Sequence, residues 1–252
     1  MTLRRGWLFG FALVLGCQTL VLPDTDADAE AGRPLGFYDG TLADDPAATR
    51  SALGLAAEAL QQGDERAACE HLGKYLALRP DHNEVRLHYA ELLLRQERRA
   101  EARKQYQRFL ALAQELGDQS LDDRIVCHSR LLEMAIADDD EYGIRYHRGL
   151  GLYLLALERV KLGDIDGELP VQSLLCRAAG ELTTALQVRP GQAQPCWYLY
   201  KVWSALGQQS AAARWLQRAA AAAPFGPLTA AEQRELQLAC AMPRQATSRA
   251  RR

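Results

Sequence analysis

Residues 49–82 read TRSALGLAAEALQQGDERAACEHLGKYLALRPDH, and this segment carries the clearest structural pattern in the chain. Gly63 marks a turn between two helices, and Pro80 closes the second helix because proline cannot continue one. Ala56 and Ala68 place a small side chain on each helix, which lets two antiparallel helices approach closely. The stretch therefore predicts a tight helical hairpin.

The same spacing returns near the end of the chain. Pro190 and Pro224 are 34 residues apart, and Gly207 precedes Pro224 by 17 residues, as Gly63 precedes Pro80. A single helix pair of this size cannot bury its own apolar face, so it must stack on the next pair. A composition rich in leucine and poor in valine and isoleucine also favours helices over strands.

This pattern resembles the tetratricopeptide repeat, a helix pair with small residues where the helices cross and a proline at its end. Residues 49–82 fit closely, whereas in residues 83–116 Glu97 replaces the usual turn glycine and Gln114 replaces the usual proline. The resemblance implies an all-α fold, a right-handed superhelical solenoid of tetratricopeptide-type helix pairs. An extra non-repeat helix and a C-terminal capping helix complete the predicted stack.

The chain divides into segments of different character. Asp118 or Ser120 is expected to cap a helix outside the repeat, residues 138–141 break it, and Thr229-x-x-Glu232 reads as a capping box. The predicted segments are a signal peptide at 1–16, an acidic flexible tether at 17–48, repeat units 1 and 2 at 49–116, an irregular helical insert at 117–148, repeat units 3 and 4 at 149–227 with a ten-residue insertion near 164–173, a capping helix at 228–241 and a basic disordered tail at 242–252.

The start of the chain predicts a targeting signal. Two arginines, an apolar run over residues 7–16 and then Cys17 are typical of a secretory signal peptide, and the run is too short to span a bilayer. Residues 14–17 resemble the lipobox of bacterial lipoproteins, which implies lipidation of Cys17. Gln18 as the next residue implies the outer membrane, facing the periplasm. An uncleaved anchor, an ordinary signal peptide and a twin-arginine signal, which matches poorly, remain open.

Charge is segregated along the chain. The net charge is −2 overall, which gives no reason to expect a nucleic-acid partner. Within residues 18–48, seven acidic residues face the single Arg33, a local charge of −6, while the last nine residues carry four arginines. A charged share of 25% beside 48% apolar residues excludes a wholly disordered chain.

Catalytic signatures are missing from the sequence. It contains no Gly-x-Ser-x-Gly, no His-Glu-x-x-His and no Gly-rich phosphate loop. Cys127-His128 and Cys69-x-His71 lack the repeated spacing of zinc sites, so we expect a buried Cys127 with His128 at the rim of the stack. No catalytic residue, metal ligand or cofactor is predicted. The cysteines after the signal are expected mainly to pack in the core, with one disulfide left open: Cys69, Cys127, Cys176, Cys196 and Cys240.

The resemblance also implies where a partner binds, because the first helix of each pair lines a concave groove in this family. Carried onto this chain, the partner-binding positions are Arg50, Glu84, Glu91, Arg95, Tyr153, Lys161, Trp197 and Lys201. Tyr153 and Trp197 are candidate anchors, with core packing as the alternative for both. At least half of the aromatic run 197–203 is expected to be buried.

The sequence thus predicts a non-enzymatic scaffold lipoprotein that binds a protein or peptide in the bacterial cell envelope. Two alternatives stay open. One is a self-associating structural envelope protein, and the oligomeric state is not predicted. The other is an enzyme whose site uses His128, residues 138–141 and His147.

Overall fold

The computed structural model describes residues 46–116, 121–165, 170–226 and 228–241. Every regular element in these residues is an α-helix, which confirms the predicted all-α class. The helices are α1 Pro46–Gln61, α2 Glu65–Leu78, α3 Asn83–Arg95, α4 Arg99–Leu116, α5 Leu121–Ala137, α6 Glu141–Leu162, α7 Val171–Val188, α8 Ala193–Ala205, α9 Gln209–Ala222 and α10 Ala230–Ala241.

Consecutive helices pack as hairpins. α1 contacts α2, α3 contacts α4 and α8 contacts α9 through short turns, which makes the two helices of each pair antiparallel. α5, α6 and α7 contact one another in succession, and α2–α3, α4–α5 and α7–α8 contacts join the pairs. The described helices therefore form a continuous stack, as the repeat spacing predicts. None of them is both long and apolar enough to cross a membrane.

The turns carry the repeat signature in their backbone. Gly63, Gly163 and Gly207 have φ of 76°, 73° and 73°, the left-handed conformation that glycine adopts without strain. Glu97, which stands in the sequence where glycine is usual, has φ of 60° and so keeps the same turn. A side chain in this conformation costs about 1 kcal/mol, so packing of the helices on either side holds the turn.

Helix limits differ from the predicted segments in three places. α1 begins inside the predicted tether, α6 runs unbroken through the predicted boundary at residues 148/149, and the end of the predicted insertion near 164–173 forms the first turn of α7. Asp139 lies in the turn after α5 and Asp140 directly precedes α6, as the acidic run indicates. The signal, Cys17, most of the tether, the caps at Asp118 and Ser120 and the basic tail lie outside the described residues.

Two apolar clusters hold the stack together. The first joins α1 to α5 and contains Tyr106 and Phe109, and the second joins α6 to α10 and contains Leu182 and Trp197. Within the second cluster α6 and α7 approach closely at Gly149, where a Cβ would lie 2.8 Å from Leu182 Cγ. The clusters meet along α5 and α6, and we call this boundary the seam.

The cysteines and His128 correct two sequence expectations. Cys69, Cys127 and Cys196 are buried as predicted, but Cys176 and Cys240 are exposed and do not pack in the core. All five are free thiols, so the disulfide that the sequence left open is not formed. His128 is 5% exposed and not at the rim, because α6 covers the face of α5 on which it lies.

Candidate binding cleft

Two cavities open at the seam, and we call them together the central cleft. The larger, the histidine cavity, has a volume of about 380 Å³ between α4, α5, α6 and α8. The smaller, the lysine cavity, has a volume of about 160 Å³ and is lined by Arg124, Lys201, Glu232 and Glu235. The polar side chains of the histidine cavity are Gln107, Gln114, His128, Asp140, Tyr142, Tyr146, His147, Arg189, Gln192, Gln194, Tyr198 and Thr229.

Gln114 and Tyr198 form a wall that the two cavities share. The Gln114 amide donates to the Tyr198 hydroxyl at 2.5 Å and to a Glu232 carboxylate oxygen at 3.2 Å. Its carbonyl oxygen accepts from the Thr229 hydroxyl at 2.8 Å. One side chain near the end of α4 therefore binds α8 and the start of α10 across the seam.

Two histidines face each other in the histidine cavity. His128 Nδ1 of α5 and His147 Nδ1 of α6 are 3.1 Å apart, with ring centroids 5.4 Å apart. These distances point each Nδ1 almost straight at the other, as in a hydrogen bond between two neutral rings, whereas chelation of a metal ion would tilt both rings toward a common point. Burial lowers the pKa of His128 well below its usual value, and burial lowers that of His147 to about 4.

Tyrosines and glutamines supply most of the remaining lining. Tyr142 and Tyr146 stack with centroids 5.7 Å apart, and the Tyr146 hydroxyl donates to the Gln194 side-chain oxygen at 3.1 Å. Arg189 lies over the Tyr142 ring at 4.6 Å and pairs with Asp140 at 3.0 Å. Burial raises the pKa of Tyr146 and Tyr198 well above their usual value, so these phenols stay neutral hydrogen-bonding groups.

The cleft offers recognition groups and lacks an activated nucleophile among the described residues. Burial raises the pKa of Cys127, the residue before His128, so its thiol remains protonated. The described part of the chain also contains no group of three or more residues placed to hold a metal ion. Neutral amides, phenols and imidazoles in this arrangement can donate to and accept from a polar ligand without changing their charge.

The structure distributes the predicted partner-binding residues over different environments. Trp197 is 2% exposed and Tyr153 is buried, so both lie in the core, the alternative that the sequence left open for them. Trp197, Tyr198, Leu199 and Val202 are buried, which confirms that at least half of the aromatic run packs inside. Among the predicted positions whose side chains are described, Lys201 alone lines the cleft, and its ammonium pairs with Glu235 at 2.6 Å.

The other predicted positions lie in different local environments. Glu84 is exposed on α3, Lys161 is exposed at the end of α6, and Arg95 pairs with Glu65 at 2.7 Å. Arg50 lies in α1, and its side chain is outside the described residues. Glu91 accepts hydrogen bonds from the Tyr106 hydroxyl at 2.7 Å and from Arg130 Nε at 3.1 Å, so it joins α3 to α4 and α5.

Glu91→Ala is expected to lower the free energy of unfolding by about 2 kcal/mol, because it leaves the buried Tyr106 hydroxyl without its acceptor and leaves Arg130 with Glu133 alone. Glu84→Ala, the matched change on the exposed face of the same helix, is expected to stay within about 0.5 kcal/mol. Urea unfolding followed by circular dichroism measures both. Equal losses would mean that Glu91 has no special structural role.

Most of the cleft residues were not predicted from the sequence. Gln107, Tyr142, Tyr146 and Arg189 carry no motif, and only their meeting in space gives them a common role. Gln114 did leave a signal, since it departs from the proline expected at the end of a repeat. The sequence placed His128 at the rim of the stack, and it brought His128 and His147 together only in the enzyme alternative.

Comparison with known proteins places part of the chain in a family. A tetratricopeptide repeat family model matches residues 59–118, and no curated protein matches the chain. A solved structure of MamA protein is 14% identical, with a TM-score of 0.34 over 69% of this chain and 91% of the other. PilW, described as a widely conserved type IV pilus biogenesis factor, is 16% identical, with a TM-score of 0.32 over 71% of this chain and 79% of the other. Residues 59–118 therefore match the tetratricopeptide repeat family, and the described helices on either side of this segment continue the same all-α stack.

Proposed function

We propose that the chain is a non-enzymatic protein-interaction scaffold that binds a segment of a partner protein in the central cleft. The observation that carries the proposal is the meeting of α4, α5, α6, α8 and α10 around two adjoining cavities at the seam. Cavities of about 380 and 160 Å³ suit a few side chains of a peptide. A whole globular domain would not enter them.

The lining favours a polypeptide segment with polar side chains. Gln107, Gln192 and Gln194 add amide donors and acceptors to those of Gln114, and such groups match the alternating N–H and C=O of a peptide backbone. The tyrosine rings offer flat apolar surface at low conformational cost. A ligand that fills this cleft is therefore bound by hydrogen bonds and ring contacts, with few unpaired charges.

The proposed location is the bacterial cell envelope, at the outer membrane facing the periplasm, with the chain anchored by lipid on Cys17. The support is the sequence of residues 1–17, in which a charged start and a short apolar run lead to a cysteine. The acidic tether that follows would keep the helical stack at a distance from an anionic membrane surface.

One experiment in living cells tests both parts of the proposal. The full chain is made in a Gram-negative bacterium with a photoreactive amino acid in place of Gln107, an exposed residue of the histidine cavity. Illumination is expected to give adducts of defined mass from the membrane fraction. In the same cells Cys17→Ala is expected to move most of the chain out of that fraction, because the lipid supplies the membrane affinity.

The matched control carries the photoreactive residue at Gln172, an equally exposed glutamine on α7 that lines neither cavity. Adducts that form equally at both positions, or at neither, would contradict binding in the cleft. Unchanged membrane association of Cys17→Ala would contradict the anchor alone.

A further inference from the structure

Helix α10 lies against the central cleft, although the sequence predicts only that it seals the end of the stack. It contacts α9 and also α4, which belongs to the other apolar cluster, so α10 crosses the seam. Thr229 lines the histidine cavity, and Glu232 and Glu235 line the lysine cavity. The start of α10 therefore occupies the surface that the proposed function gives to a partner.

Polar bonds from three helix residues of the cleft hold α10 in place. Gln194 Nε2 donates to Glu232 at 3.1 Å, and Lys201 Nζ lies 2.6 Å from a Glu235 oxygen. Gln114 binds both Thr229 and Glu232. Within α10 the predicted capping box is formed, since the Glu232 backbone N–H donates to the Thr229 hydroxyl at 3.2 Å and the Thr229 N–H donates to the Glu232 carboxylate at 2.9 Å.

Apolar burial of α10 is small. Ala231 and Leu236 are its buried apolar side chains, while Leu238 is 64% exposed and Cys240 is exposed. By comparison α8 buries a tryptophan, a tyrosine and several aliphatic side chains. Apolar burial is the main stabilising contribution in a helical stack. Detaching α10 from the stack therefore costs much less free energy than detaching α8.

α10 leaves some polar groups of the lysine cavity without a full set of partners. Glu232 is 2% exposed, yet within the described residues no lysine, arginine or histidine nitrogen lies within 4.0 Å of its carboxylate. Arg124, which lines the same cavity, has a buried Nε with no hydrogen-bond partner in that part of the chain. Three hydrogen bonds to the Glu232 carboxylate offset only part of the cost of burying it without a cation, and Arg124 Nε has no acceptor, so both groups reduce the net gain from this contact.

We propose that α10, which forms one wall of the lysine cavity, is a replaceable ligand within the chain. The partner that displaces it is a helix whose first turn carries Ser or Thr followed three residues later by Glu, with a second Glu three residues further on and an additional acceptor for Arg124. This inference rests on the proposed function, because it assigns the central cleft to a partner segment. It makes partner binding and release of α10 mutually dependent.

The test uses the full chain and a fluorescent peptide of residues 228–241 carrying Cys240→Ser. In the wild-type chain α10 competes from a high effective concentration, so peptide binding is weak. The full-chain variant Thr229→Ala/Glu235→Lys loses the Thr229–Gln114 hydrogen bond and the Glu235–Lys201 ion pair, and it is expected to bind the peptide at least about tenfold more tightly in a fluorescence-anisotropy titration. A peptide with Glu232→Ala is expected not to bind.

Glu65→Lys is the matched control, since it makes the same charge change at an ion pair away from the cleft, with Arg95. Equal peptide binding by the wild type, the control and the double variant would overturn the proposal, as would equal binding of the Glu232→Ala peptide.

Hydrogen exchange of the wild-type chain gives a second measurement that needs no variant. Amides of α10 are expected to exchange at least about 100-fold faster than those of α8, and equal rates would overturn the proposal. Crosslinking at Gln107 tests the proposed function separately, so either can fail alone.

Discussion

Phe109→Ala is expected to lower the free energy of unfolding by about 3–5 kcal/mol. The Phe109 ring is 0% exposed in the cluster that joins α1 to α5, and its removal leaves a cavity that the surrounding helices only partly fill. Domains of this size have a total stability of about 5–15 kcal/mol, so the loss is a large share of it. Guanidinium unfolding followed by circular dichroism measures the difference from the wild type.

Phe225→Ala provides the matched control because it deletes the same ring from a position that is 88% exposed. Its free energy of unfolding is expected to change by no more than about 0.5 kcal/mol. The hydrogen bond from Asn83 Nδ2 to the Phe109 carbonyl is a backbone contact and survives the test substitution. Similar losses from both variants would show that the first cluster contributes little to stability.

The helical hairpins were predictable because their signals act locally. A glycine in the left-handed turn at Gly63 and small residues at Ala56 and Ala68 determine how two neighbouring helices meet. The same reasoning identified Glu97 as a substitute for glycine, and its positive φ confirms that the turn is kept. Short-range spacing is thus sufficient for the all-α stack.

The cleft could not be predicted in the same way, since its residues are brought together by the path of the whole stack. Gln114 bonds to Tyr198 and Glu232, which lie 84 and 118 residues further along the chain. Helical periodicity assigns a residue to a face but does not say which distant helix covers it. For this reason His128 was expected at the rim, although α6 brings His147 directly against it.

His147→Gln is expected to reduce the loss in free energy of unfolding that occurs as the pH falls. Burial lowers the pKa of His147 to about 4, so in the folded chain the ring stays neutral where the unfolded chain, with a pKa of about 6.5, already takes up a proton. The unfolded state therefore binds more protons as the pH falls, and the stabilising effect is complete above about pH 6.5 and is lost as the pH falls toward about 4. Between about pH 7.5 and about pH 5 the wild type should lose about 2 kcal/mol more than the variant.

Charged neighbours change the pKa values of the two histidines but do not reverse the direction of the pH dependence. Asp140 raises the pKa of His147 and Arg103 lowers it, and for His128 burial is followed by His147 and then Arg124, both of which lower the pKa further. His88→Gln removes an exposed histidine and is expected to keep the wild-type pH dependence. Urea unfolding of the three proteins at a series of pH values gives the comparison, in which the variation from carboxylates common to all three cancels. If His147→Gln loses stability as steeply as the wild type, the histidine pair does not bind its protons more weakly when folded, and the seam lacks the pH-sensitive contact inferred from its burial.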